Sequence, residues 1–243
     1  MTVLLLGGTA PARELATRLV AEGVPVITSL AGEVAVLHPP PGEVRVGGFG
    51  GADGLARFLR ERAVRAMVDA THPFAARISA NAATAGRLTG IPLLRLERPS
   101  WALRPDAAAW HWVDSFAAAA DVAGRLGERV FLAVGRQSLA EFASWATRPV
   151  LARVIDPPEV ELPPTWQVLR ARGPFALGDE LALLRDHAVD VLVTKDSGGP
   201  SDAKLDAAAE LGVPVVCVRR PPSPADVPAV ATVEQVIGWL RAG

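Results

Sequence analysis

Short apolar runs alternate with amphipathic helical runs along the whole of this 243-residue chain, and that alternation is what most restricts its fold. The runs near residues 3–6, 24–28, 44–46, 66–69 and 92–96 are too short for helices and predict strands. Between them the spacing predicts helices near 10–22, 53–63 and 74–89, with Leu15 and Leu19, and Leu55 and Leu59, four residues apart on one buried face. Strands joined by helical crossovers can pair in parallel, and both faces of such a sheet are covered.

The segment 97–101 and the loop as far as Ala109 interrupt the pattern, which then restarts. Strands are expected near 112–113, 130–134, 150–154, 167–170, 191–194 and 213–218, and helices near 115–126, 138–146, 178–186 and 202–211. Residues 156–164 read as a stiff, proline-bearing surface loop, residues 219–228 as a proline-rich connector, and residues 232–240 as a last helix. The expected fold is α/β, two Rossmann-like domains with parallel sheets and an interdomain cleft, divided as residues 1–98 and 99–243.

Half of the residues are hydrophobic, ample for buried cores, and the formal charge of −1 offers no electrostatic support for a nucleic-acid or anionic-membrane partner. No apolar run approaches the roughly 18 residues that span a bilayer. The first residues lead straight into a strand and a glycine turn without a basic segment, which is not a signal peptide, so the cytoplasm is the expected location. The one cysteine, Cys217, excludes an internal disulfide and a cysteine-rich zinc site. The chain has no tyrosine, which removes the Tyr and Lys pair of short-chain dehydrogenases. Of its 25 basic residues only Lys195 and Lys204 are lysines. A lysine offers a compact, titratable charge that an arginine cannot, so this pair invites a functional reading, against the plainer one of a coding bias.

Four stretches of the first half carry candidate chemistry. In Leu4-Leu5-Leu6-Gly7-Gly8-Thr9 a strand runs into a tight turn, with Thr9 as an expected helix N-cap. Glycines there let a backbone approach a pyrophosphate, and a helix N-terminus stabilises its charge. The full G-x-G-x-x-G is absent, since Thr9 and Ala12 fill the second and third glycine places. The second strand ends at Thr28-Ser29 without the acid that would hold a free ribose 2′-hydroxyl, which favours NADPH, with Ser29, Ala31 and Gly32 as phosphate donors. Gly47-Gly48-Phe49-Gly50-Gly51 is either a plain connection to a helix capped by Asp53 or backbone lying against a flat ligand, a nicotinamide or a macrocycle. In Asp69-Ala70-Thr71-His72-Pro73-Phe74-Ala75, Pro73 suits a first helical turn, Thr71 or His72 a cap, and Asp69 the orientation of that turn. A lone histidine without partners at ligand spacing makes no metal site.

In the second half three expected strands end in polar loops: Gly135-Arg136-Gln137, Arg170-Ala171-Arg172-Gly173 and Lys195-Asp196-Ser197-Gly198-Gly199. In a parallel sheet these share one edge. Arg136, Arg172, Lys195 and Lys204 would then form a cationic rim around the backbone donors of Ser197, Gly198 and Gly199, suited to a substrate rich in carboxylates. Solvated loop charge is the plainer alternative.

Together these blocks, with Ser29-Leu30-Ala31-Gly32, Arg172-Gly173-Pro174-Phe175 and Ala203-Lys204-Leu205, resemble the precorrin-6A reductase family of cobalamin biosynthesis, in order and over residues 3 to about 221. The resemblance implies reduction of precorrin-6A, or of its cobalt-containing analogue, by NADPH, with NADH left open, no resident metal, and a tetrapyrrole substrate as partner, the oligomeric state left open. It implies cofactor contacts at Gly7, Gly8, Thr9, Ser29, Ala31, Gly32, Gly48, Phe49, Thr71, His72 and Pro73. Substrate contacts are implied at Arg136, Gln137, Arg172, Gly173, Lys195, Ser197, Gly198, Gly199 and Lys204, and Lys195 and Asp196 are the catalytic candidates. Two positions depart from the family pattern: Glu33 stands where relatives carry a basic residue, and Pro11 where they carry an acid. A two-domain glycosyltransferase and a non-catalytic nucleotide sensor are the alternative readings.

Overall fold

The computed structural model describes residues 2–31, 39–158, 160–199 and 202–242. The chain divides into two compact units, residues 1–98 with 221–243, and residues 99–220. The first opens with β1 (Thr2–Leu6), α1 (Ala10–Ala21), β2 (Val26–Leu30), β3 (Glu43–Val46), α2 (Gly51–Glu61), β4 (Val64–Asp69), α3 (Ala76–Thr89) and β5 (Leu93–Leu96). The second holds β6 (His111–Val113), α4 (Phe116–Leu126), β7 (Val130–Ala133), β8 (Val150–Val154), β9 (Trp166–Arg170), α5 (Leu177–Asp186), β10 (Val191–Lys195), α6 (Ala203–Leu211) and β11 (Val215–Val218). The helix expected near 138–146 is a run of 3-10 turns over Arg136–Trp145.

The chain then returns to the first unit as β12 (Ala229–Val230) and α7 (Val233–Ala242). This corrects the expected division, which gave residues 221–243 to the second domain. The reason is physical: Ala229 and Val230 pair in parallel with Arg95 and Leu96, and Val236 and Ile237 of α7 join the core that α1 covers. A two-residue strand leaves no periodicity to read.

The first sheet runs β12-β5-β4-β1-β2-β3 and the second β6-β11-β10-β7-β8-β9, with every pairing parallel. In each, the chain winds outward from a central strand, β1 or β7, first to one side and then to the other. That is the doubly wound order 3-2-1-4-5, and ligands bind at the carboxyl ends of the strands where the winding reverses. The reversals lie between β1 and β4, and between β7 and β10.

The unbroken Leu4-Leu5-Leu6 run follows from burial on both faces. Val3 and Leu5 pack with Leu15 and Leu19 of α1, while Leu4 and Leu6 pack with Leu55 and Leu59 of α2. Each such leucine contributes about 1.5–3 kcal/mol.

The helix α2 starts earlier than expected. Its N-cap is Gly50, at φ +80°, and Asp53 lies inside the first turn rather than at the cap. The cause is a close approach: a Cβ at Gly54 would stand 1.8 Å from the Phe49 carbonyl oxygen. Glycine-to-alanine changes in a helix usually stabilise by about 1 kcal/mol. At Gly54 the sign is expected to reverse, Gly54→Ala costing about 2 kcal/mol or more through overpacking. Gly238→Ala, in α7 where a Cβ meets nothing within 4 Å, is expected to raise the thermal midpoint. Thermal unfolding of the two variants beside the parent checks the opposition of sign.

Candidate active site

At the carboxyl edge of the first sheet, Gly8 sits at φ +104°, and a Cβ built on it would meet no atom within 4 Å, so the turn opens onto free space. Gly7 is glycine for another reason: a Cβ there would press on the Thr28 methyl at 3.0 Å. Thr9 caps α1 as expected, its hydroxyl accepting from Ala12 N at 3.2 Å and donating to the Ala70 carbonyl at 2.7 Å. That second bond ties the turn after β1 to the end of β4, work that a glycine in this place could not do. The Thr28 hydroxyl, buried under the turn, has no hydrogen-bond partner among the described residues. An open, positive-φ turn at a helix N-terminus fits a bound pyrophosphate.

On β4, Asp69 is 2 % exposed and acts as a brace. One carboxylate oxygen accepts from the backbone N–H and hydroxyl of Thr71 (3.1 and 2.6 Å), and the other from Arg95 at 3.0 Å. Arg95 also donates to Ser79 and Glu97, and Glu97 accepts from Ser223. Neither Thr71 nor His72 caps α3, and Pro73 is not in its first turn. The helix begins at Ala76 with Ala75 as N-cap, after a tight turn in which Ala75 N donates to the His72 carbonyl and Phe74 N donates to His72 Nδ1. The histidine side chain serves that turn, because the strand must reverse before a helix can start.

Ser29 is buried, and Ala31 is exposed. Gly32 and Glu33 lie outside the described residues. In the glycine run, Gly47, Gly50 and Gly51 have positive φ, and the loop is gathered around Arg45. The Arg45 guanidinium donates to the carbonyls of Gly47 and Gly48 and lies 3.9 Å from the centre of the Phe49 ring. Arg45 lies two residues before the glycine run in the chain, and that nearness is the one signal of its role that the sequence carries. This loop follows β3, two strands away from the reversal between β1 and β4.

In the second unit, Gly135 follows β7 at φ +82°, and a Cβ there would lie 3.4 Å from Lys195 Nζ. The ammonium thus rests against the backbone at the reversal between β7 and β10. Burial pushes its pKa down from 10.5 to about 8. Arg136, directly after Gly135, donates to the Pro157 carbonyl at 3.3 Å and keeps part of its surface in solvent, while Gln137, Arg172 and Gly173 are exposed. Ser197 N donates to the Lys195 carbonyl, and Gly198 and Gly199 have positive φ.

Two candidate residues of this unit are drawn inward. Asp196 is 2 % exposed, and both its oxygens are engaged: one accepts from Ser100 Oγ and Arg220 Nε (2.6 and 2.8 Å), the other from Trp101 N and Arg220 Nη2 (both 2.9 Å). A guanidinium, a hydroxyl and a backbone N–H thus hold both its oxygens in place. Lys204, placed in the expected cationic rim, is not a solvated loop charge. It is 8 % exposed at the start of α6, with Nζ 4.3 Å from the centre of the Trp101 ring, and burial and Arg153 lower its pKa to about 8. A helix whose inner face carries Leu205 and Ala208 turns its neighbouring lysine inward with them.

Among the described residues no group of three or more His, Cys, Asp or Glu could hold a metal, and no helix is long and apolar enough to cross a membrane.

The family model described as precorrin-6x reductase CbiJ/CobK matches residues 2–241. A precorrin-6A reductase of Rhodococcus erythropolis is 53 % identical over 240 residues, covering 98 % of this chain and 95 % of that protein. A cobalt-precorrin-6A reductase of Priestia megaterium is 32 % identical, covering 90 % of each. Among solved structures, CobK precorrin-6A reductase superposes with a TM-score of 0.90 at 40 % identity, covering 100 % of this chain and 96 % of that one. Two parallel doubly wound sheets, an open glycine turn on the first of them, and agreement along nearly the whole length lead to one assignment: the chain belongs to the precorrin-6x reductase family.

Proposed function

We propose that this protein reduces precorrin-6A, or its cobalt-containing counterpart, with NADPH, in cobalamin biosynthesis. The observation that carries the reading is the family match over residues 2–241, on a first sheet with the strand order of dinucleotide-binding proteins. Bound NADPH supplies the hydride. Gly7, Gly8 and Thr9 receive the pyrophosphate on the α1 N-terminus, where backbone N–H groups and the helix dipole favour an anion. Thr71 and His72, on the β4 side of the reversal, face the nicotinamide half, and Ser29 the adenosine half. The glycine loop after β3 therefore belongs with the adenosine and not with the nicotinamide or the macrocycle.

Arg136 and Arg172 pair with peripheral carboxylates, which a guanidinium fork grips through two hydrogen bonds. Lys195 supplies the proton that accompanies the hydride, since an ammonium with a pKa of about 8 is a competent acid near neutral pH. Ser197, Gly198 and Gly199 offer the backbone beside it.

Purified protein mixed with precorrin-6A and NADPH is expected to oxidise one NADPH for each macrocycle reduced. Absence of NADPH oxidation with either the cobalt-free or the cobalt-containing substrate would overturn the reading. Gly8→Val tests the cofactor site by itself. A β-branched residue is strained at φ +104° and fills the open space above the turn. NADPH affinity is expected to fall by about 100-fold or more, equivalent to about 2.7 kcal/mol, with an unchanged circular-dichroism spectrum. Unaltered affinity would remove this turn from the site.

A further inference from the structure

We propose that Arg45 is the residue that selects NADPH over NADH, its guanidinium receiving the 2′-phosphate of the adenosine ribose. The inference rests on the reading of the first unit as the dinucleotide site and adds a residue to it. In a sheet of this order the adenosine ribose lies beyond the tip of β2, and cofactor choice is made there by an acid for NADH or a nearby arginine for NADPH. The tip of β2 carries Ser29, which is 8 % exposed, and no acid. The partner of Ser29 across the parallel ladder is Arg45, so the two side chains leave the same face of neighbouring strands.

Three features set Arg45 apart from a surface arginine. Its guanidinium reaches past the end of β3, to the carbonyls of Gly47 and Gly48, and so stands at the carboxyl edge where the ligand lies. No salt bridge joins it to an acid among the described residues, and Glu43, on the same face of the same strand, is already paired with Arg62. The ring of Phe49 at 3.9 Å and that of Phe58 at 5.4 Å fix the plane of the fork without neutralising it. Gly54 in turn lets the Phe49 carbonyl close onto α2. The loop thus holds a guanidinium, oriented by two backbone carbonyls and joined to no acid among the described residues, beside the expected ribose position, where it can meet a phosphate dianion.

The competing role is that of a strut for the glycine loop, and the two separate in binding rather than in turnover. Dissociation constants for NADPH and NADH are measured by calorimetry on the parent protein, Arg45→Ala and Arg45→Lys. Selection predicts that Arg45→Ala weakens NADPH by about 30-fold or more and NADH by less than about 3-fold. Arg45→Lys keeps the charge without the fork and is expected to lose part of the preference. Equal weakening of both cofactors by Arg45→Ala, or no change, would overturn the proposal in favour of a strut or a bystander. Should Arg45→Ala not fold, an unchanged NADPH-to-NADH preference in Arg45→Lys, together with failure of 2′-AMP to bind the parent more tightly than 5′-AMP, overturns it. A parent protein that binds neither dinucleotide would tell against the dinucleotide reading itself and take the proposal down with it.

Discussion

Lys195→Ala is expected to lower kcat/KM for the macrocycle by a factor of about 10²–10⁴, the usual contribution of a positioned general acid, while NADPH affinity stays as in the parent. The residue stands at the end of β10 with its ammonium against the Gly135 backbone, so its loss removes the half-buried cation at the reversal of the second sheet. Lys195→Arg separates binding from donation. It restores a permanent charge, and with it much of KM, but an arginine does not give up its proton, so kcat stays low. The pH dependence has a definite sign. The donating form is the ammonium, burial sets its pKa at about 8, and activity therefore falls as pH rises through 8, about tenfold for each further pH unit. Lys204 titrates in the same range but is buried against Trp101. The falling limb should therefore persist in Lys204→Met and vanish from the residual activity of Lys195→Arg. Parent-like kinetics in Lys195→Ala would remove this loop from the chemistry.

Asp196→Asn is expected to act on stability more than on any single kinetic step. The carboxylate is closed in by Arg220, Ser100 and Trp101, and Asp196→Asn removes the negative charge that faces the Arg220 guanidinium. Breaking one side of a buried ion pair costs about 3–5 kcal/mol, which for a chain of this size lowers the thermal midpoint by on the order of 10 °C. The location makes the loss global. Ser100 and Trp101 stand at the start of the second unit and Arg220 is its last residue, so one side chain fastens both ends of the unit to the tip of β10. Scanning calorimetry checks this. A midpoint unchanged in Asp196→Asn, with kcat abolished, would return Asp196 to the chemistry.

The nucleotide side of the site was more legible than the substrate side. Gly7, Gly8 and Thr9 declare themselves because a strand, a tight turn and a helix cap are written within nine consecutive residues. The absence of an acid at the tip of β2 is equally local. Arg45 is different: its importance comes from pairing with Ser29, sixteen positions earlier, which no local pattern announces. The start of α3 was misplaced by a few residues because a proline suits a tight turn as well as a first helical turn, and only the backbone path decides between them.

What the sequence by itself determined is the alternation of strands and helices, the parallel sheets that follow from it, the glycine turn opening α1 and the likeness to one reductase family. Each depends on periodicity or on neighbours in the chain, because a strand alternates its faces every two residues and a helix repeats every 3.6. Only the folded chain shows that residues 221–243 complete the first sheet, that Lys204 is buried, and that Asp196 is ringed by Ser100, Trp101 and Arg220. It also shows that Lys195 keeps its ammonium at the reversal of the second sheet. These depend on burial and on partners far along the chain: Asp196 meets Ser100 across 96 positions, and Trp101 across 95. Whether a carboxylate is a reactive group or a structural anion is set by the donors and the solvent around it, and those exist only once the strands have been brought together.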